Sequence, residues 1–310
     1  MDKIIKIGTR GSKLALWQAY YVADHLKKNG LNSEIVIIET TGDKILHKTI
    51  AKIGSKGVFT EELEQQLRSG DIDIAVHSAK DLPSDLAEDL EIIAFTERKR
   101  VNDVLVSYNK NFNLDADSEI VLGTSSTRRI AMLRHYYPKV KTVDVRGNLQ
   151  TRMRKLEEGL CDALVLAYAG VHRMEFEQYV VMHLRTDQFT PAAGQGSVAI
   201  EAGKNMPAEL REAIRNAVNH PETEYRLLAE RGFLRKLQGG CSIPSFALAE
   251  LQDGRLSVRG GLVSLDGSKV LDASFSGEKS NAEALGRQVA EKVLSMGGDV
   301  LLAQIKGQLG

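Results

Sequence analysis

The 310-residue chain is poor in cysteine, with only Cys161 and Cys241. So few thiols, and a start directly on the strand-like Ile4-Ile5-Lys6-Ile7 with no export signal expected, argue against a structural disulfide and for reduced, cytoplasmic surroundings. Long apolar runs are missing as well. The longest, residues 163–171, is far below the roughly 20 residues of a membrane helix, so no membrane partner is expected. Neither sign of charge prevails, because Lys plus Arg and Asp plus Glu stand at 41 each. Without a global field nucleic acid is not an expected partner, and any anion site must be local. There is no low-complexity tract, and no metal site is expected. What remains is a soluble globular chain, 43% hydrophobic and 26% charged, long enough for two domains or three small ones.

The two thiols sit in opposite settings. Cys161, in Gly159-Leu160-Cys161-Asp162-Ala163-Leu164, has the apolar neighbours of a buried cysteine. Cys241 stands in Gly239-Gly240-Cys241-Ser242-Ile243-Pro244, where glycines let the backbone bend and something large approach. An inert thiol and an attachment point are both open readings at this stage.

Hydrophobic periodicity organises the first two thirds as alternating short strands and amphipathic helices. Strands are expected at residues 4–8, 34–40, 73–77, 120–123, 142–145 and 163–167, with helices over 14–26, after Thr60 and from about residues 127 and 148. This twofold βα rhythm predicts mainly parallel sheets covered by helices. From about residue 221 the texture changes to a helix over 224–237, strands near 247–251, 256–262 and 269–274, and a last helix from about 281, implying a small α+β unit.

Arginines recur where strands end and helices begin. Gly123-Thr124-Ser125-Ser126-Thr127-Arg128-Arg129 places two in the first turn of a helix, an end that prefers acids because its free N–H groups and macrodipole make it positive. A bound anion reverses that cost, and hydroxyls, backbone N–H groups and guanidinium forks describe a carboxylate or phosphate site. The competing reading has the stems covering apolar surface with the heads in water. Arg10, Arg146 and Arg173 repeat the placement, with Arg152 close behind. In open α/β sheets ligands bind beyond the carboxyl ends of the strands, and so many cations imply a ligand with several negative groups.

One acid stands out against this basic lining. Val76-His77-Ser78-Ala79-Lys80-Asp81-Leu82-Pro83-Ser84 follows a strand, so Lys80 and Asp81 are expected at the same sheet edge. Asp81 reads either as a turn residue ahead of proline or as an ionised carboxylate suited to stabilising a transient cation. His77 reads as a hydrogen-bonded structural residue.

These segments, with Arg146-Gly147-Asn148, Ala169-Gly170-Val171-His172-Arg173 and Pro191-Ala192-Ala193-Gly194-Gln195-Gly196, closely resemble the porphobilinogen deaminases, also called hydroxymethylbilane synthases, over essentially the whole length. The resemblance implies an α/β fold of three domains, the first two periplasmic-binding-protein-like with mainly parallel doubly wound sheets and the third a small α+β domain. Its boundaries would be 1–97 plus 197–218, 98–196 and 219–310, with crossovers near 97–102 and 193–199. It further implies a dipyrromethane cofactor held by Cys241 through a thioether, onto which four porphobilinogen molecules are added with loss of ammonia. Water then releases the linear tetrapyrrole.

Asp81 would be the catalytic residue, stabilising the cationic azafulvene left when ammonia departs. Lys80, Ser78, Thr124, Ser126, Arg128, Arg129 and Arg146 would bind the cofactor, and Arg10, Ser12, Arg152, Arg173 and Gln195 the substrate. The partners implied are porphobilinogen and the growing polypyrrole chain, handled by a monomer, and residues 44–57 would form a lid. Departures from the family pattern are Arg100-Val101-Asn102 ahead of Asp103, Thr127 and Ser197. The alternative is a noncatalytic anion-binding module of periplasmic-binding-protein type, which leaves the glycine-framed Cys241 without a role.

Overall fold

The computed structural model describes residues 3–40, 60–115, 117–239 and 242–309. The proposed lid and Cys241 itself lie outside them. By contact the chain divides into two compact units, residues 1–99 with 196–225 and residues 100–195 with 226–310.

In the first unit, β1 (Ile5–Arg10) leads into helix α1 (Lys13–Lys28) and returns as β2 (Ser33–Ile38); α2 (Glu61–Ser69), β3 (Ile74–Ser78) and β4 (Leu90–Phe95) follow. In the second unit, β5 (Asp103–Val106), β6 (Val121–Gly123), α3 (Thr127–Tyr136), β7 (Lys141–Val143), α4 (Leu149–Glu157), β8 (Ala163–Ala167), α5 (Tyr168–Arg173) and β9 (Val180–His183) come next. The chain then returns to the first unit for β10 (Val198–Gly203) and α6 (Ala208–Val218). Strand order is β2-β1-β3-β10-β4 in one sheet and β7-β6-β8-β5-β9 in the other. In each, two parallel ladders lie beside a single reversed strand, β10 or β5, that enters directly from a crossover. The sheets are thus mainly parallel and share one topology, although their sequences do not repeat.

Burial explains why the central strands read as unbroken apolar runs. In β8, Ala163 and Val165 face a core shared with α3, while Leu164 and Leu166 face one shared with α4. The first sheet is likewise covered by α1 and α6 on one face and by Leu63 and Leu67 of α2 on the other. Thr60 precedes α2 as expected, but its hydroxyl donates to Glu64 Oε1 at 2.8 Å instead of capping the backbone.

The third domain is a small antiparallel sheet, β11 (Ser245–Gln252), β12 (Arg255–Val263) and β13 (Val270–Glu278), with helices α7 (Pro221–Leu237), α8 (Ala282–Val293) and α9 (Asp299–Leu309). The single terminal helix expected from the sequence is two, separated where Gly297 takes φ 93°. Phe246 and Val263 join the α3 core, which places this sheet in the second compact unit. No helix among the described residues is long and apolar enough to cross a membrane.

Candidate functional site

The first unit brings Arg10, Ser12, Ser78, Lys80 and Asp81 to the carboxyl ends of two neighbouring parallel strands, β1 and β3. Ser12 caps α1, its Oγ accepting from Ala15 N at 3.3 Å, so this hydroxyl is fixed by the helix that follows the strand. Gln18, buried on the same helix, donates to Ser78 Oγ at 2.8 Å and locks the end of β3 to α1. Beyond Ser78 the chain turns through a short 3-10 helix, Ala79–Asp81, pinned by Ala79 N–H to Ser197 O at 3.0 Å. Lys80 is half-buried on this turn, while Asp81 is exposed to solvent. His77 is buried against the fully buried Glu201, 3.1 Å away, as a hydrogen-bonded structural residue should be.

The second unit repeats the plan with more cations. After β6, buried Thr124 accepts from Ser126 N at 3.2 Å and Ser126 Oγ takes the N-cap of α3 from Arg129 N at 3.5 Å. Arg128 and Arg129 follow in the first turn, which carries no acid. Their heads do not lie in water. Both are buried around Asp103, the first residue of β5, whose carboxylate is wholly inaccessible. Arg128 Nη2 donates to Asp103 Oδ2 at 2.7 Å, and Arg129 Nε and Nη2 donate to Oδ1 at 3.1 and 2.7 Å. The remaining arms are anchored on backbone, Arg128 Nη1 to Thr190 O and Arg129 Nη1 to Val165 O.

Burial by itself would raise the Asp103 carboxyl, but the two guanidiniums outweigh it and hold the group well below the ordinary carboxylate range. Burial also pushes Arg128 down, against the pull of Asp103 in the other direction. Two cations and one anion leave the cluster with a net positive charge. The anion that the arginine-rich helix start called for is therefore, in part, the protein's own.

Gln195, expected among the substrate ligands, is buried. Its amide nitrogen donates to Asp103 Oδ1 at 3.0 Å and to Val101 O at 2.7 Å, so it supports the cluster from behind. Arg146, beyond β7, is half-buried with Nε on Asp144 Oδ2 at 2.6 Å. Asn148 caps α4, and Arg152 Nε reaches back to Gly147 O at 2.8 Å. Gly147 holds φ 111°, the left-handed side that favours glycine, which lets Arg146 and Arg152 flank one turn. Arg173, at the end of α5 after β8, is buried.

Asp103 is the residue that sequence reading passed over. An acid set directly ahead of the strictly apolar Val104-Leu105-Val106 was the available signal, because a buried acid requires cations. Cys161 is buried in the α4-side core, and burial pushes its thiol up to about 11, so it is a poor nucleophile.

Among curated proteins, the porphobilinogen deaminase of Desulfosudis oleivorans is 53% identical over 305 residues, covering 98% of each chain. That of Cytophaga hutchinsonii is 54% identical over 306 residues, covering 99% of this chain and 98% of the relative. The likeness to solved structures is remote. A Bordetella pertussis BvgS VFT2 domain aligns at 18% identity with a TM-score of 0.43, covering 69% of this chain and 86% of that one.

Residues 5–211 match the family model described as "Porphobilinogen deaminase, dipyromethane cofactor binding domain", which spans both five-stranded sheets and every strand-end cation described above, and residues 225–295 match "Porphobilinogen deaminase, C-terminal domain". With both models matched in order, and relatives more than half identical along nearly the whole length, this chain belongs to the porphobilinogen deaminase family.

Proposed function

We propose that the protein is a hydroxymethylbilane synthase, joining four porphobilinogen molecules head to tail into a linear tetrapyrrole for haem and related pigments. Each addition forms one carbon–carbon bond between pyrroles and releases one ammonia, and water completes the free end on release. The observation that carries this reading is the near full-length relationship to porphobilinogen deaminases.

The donor set fits a dipyrromethane, whose pyrroles carry acetate and propionate side chains. The net-positive Arg128–Asp103–Arg129 cluster, Arg146, Lys80 and the hydroxyls of Ser78, Thr124 and Ser126 suit carboxylates and polar edges. When bound, the cofactor supplies the primer pyrrole to which the first substrate unit is joined. Arg10, Ser12, Arg152 and Arg173 receive substrate carboxylates, and buried Gln195 acts through its hydrogen bond to Asp103.

Asp81, exposed on a turn whose backbone is pinned, presents an acceptor to pyrrole N–H groups and a negative charge to the cationic pyrrole left when ammonia departs. Cys241 is the attachment residue, since Cys161 is buried with a raised pKa and the chain has no third cysteine. The enzyme works as a cytoplasmic monomer, which light scattering at working concentration tests by returning the mass of one chain.

Intact mass spectrometry tests the central reading. Active protein is expected to carry the added mass of two linked pyrrole units, and Cys241→Ser to lack it. An unmodified mass in fully active protein would overturn the assignment.

A further inference from the structure

We propose that Asp103 is a positioning residue for the carboxylate site, aiming the Arg128–Arg129 pair, and that Gln195 holds Asp103 in turn. The proposal rests on the synthase reading above.

The geometry gives Asp103 a role beyond neutralisation. Each guanidinium is held from two directions, by an Asp103 oxygen and by a backbone carbonyl, Thr190 O for Arg128 and Val165 O for Arg129. A planar fork fixed at two edges has lost its rotational freedom before any ligand arrives, so the ordering cost is met by the fold. One carboxylate shared by two guanidiniums also leaves net positive charge, which a ligand carboxylate then completes. Without Asp103 the two cations would repel each other inside the protein and swing toward water.

Asp103 is itself placed by the segments where the chain passes between units. It opens β5 just after the crossover at residues 99 and 100, and Gln195 is the last residue before the return at 195 and 196. Gln195 Nε2 bonds both Val101 O and Asp103 Oδ1, while Asn102 Nδ2 bonds Leu184 O at 2.9 Å. The two crossover segments are thereby tied together at the point that orients the arginine pair. This also gives the departure at Arg100-Val101-Asn102 a consequence, because its backbone and side chains belong to the same clamp.

The test compares wild type, Asp103→Asn, Gln195→Met and, as a packing control on the same strand, Leu105→Ala. Each is measured for melting temperature, for the fraction carrying the two-pyrrole mass, and for kcat and KM with porphobilinogen.

In folded Asp103→Asn the mass is expected to be missing from most molecules, and the loaded remainder to lose about tenfold or more in kcat/KM. Leu105→Ala should lower the melting temperature yet stay loaded, which separates positioning from mere stability. Gln195→Met keeps size without adding charge and is expected to show a milder loss of the same kind.

Full loading with unchanged kcat and KM in folded Asp103→Asn would overturn the proposal. Should that variant fail to fold, the same result in Gln195→Met overturns it. A wild type lacking the adduct would instead remove the synthase reading on which the proposal stands.

Discussion

Removing the Asp103 carboxylate would leave two guanidiniums buried without their counter-charge, and at the residue scale this is a costly polar change. Breaking a buried ion pair from one side costs about 3–5 kcal/mol, so Asp103→Asn should unfold at clearly lower urea concentration than wild type. The pH dependence follows from the direction of the shift. The folded-state pKa of Asp103 lies below the unfolded value, so its contribution is complete above about pH 4 and fades as pH falls further. The stability gap between wild type and Asp103→Asn should therefore hold steady at neutral pH and shrink in acid; a gap widening toward low pH would contradict the assigned charges. For Asp81, which is exposed and holds no comparable buried cluster, Asp81→Ala should leave the adduct in place and nearly abolish ammonia release. Near-normal release would remove Asp81 from the mechanism.

Among the elements, the strand-to-helix turns do the positioning. Ser12, Ser126 and Asn148 each cap the helix that follows a parallel strand, so the same residue that ends the strand region fixes the start of the helix and the cations beside it. Gly147 is a close-packed point in one of these turns. A Cβ there would fall 2.8 and 2.9 Å from Thr151 carbons, and Thr151 is itself held to Asn148 Oδ1. Gly147→Ala should cost about 1–2 kcal/mol from the left-handed backbone before any overlap is counted, and should reduce cofactor loading through Arg146. A melting curve and an intact mass check both. The crossovers are likewise specific. Ser197, one of the departures from the family pattern, donates its hydroxyl to Thr96 O at 2.9 Å, turning a substitution into a bond between the chain's outgoing and returning segments.

At the scale of the whole molecule, two sheets of one topology present cations and hydroxyls at their strand ends, and Cys241 falls within the stretch matched by the C-terminal domain model. In Cys241→Ser the remaining thiol, Cys161, should resist alkylation in the native state and react only after unfolding, because it is buried and its thiolate is disfavoured. Rapid labelling of native Cys241→Ser would mean that Cys161 is accessible after all. The sequence alone determined the βα rhythm, because apolar period and capping residues act over a few positions, and it marked Arg10, Arg128, Arg129, Arg146 and Asp81 as strand-end groups. It did not reveal the reversed strands β5 and β10, whose partners lie far away along the chain: Val104 pairs Leu166, and Ala199 pairs His77. Nor did it show that Arg128 and Arg129 share Asp103, since a charge is paired by what lies across the fold. Local pattern thus set the cations at the helix start, and only tertiary packing decided that a buried carboxylate would hold and partly neutralise them.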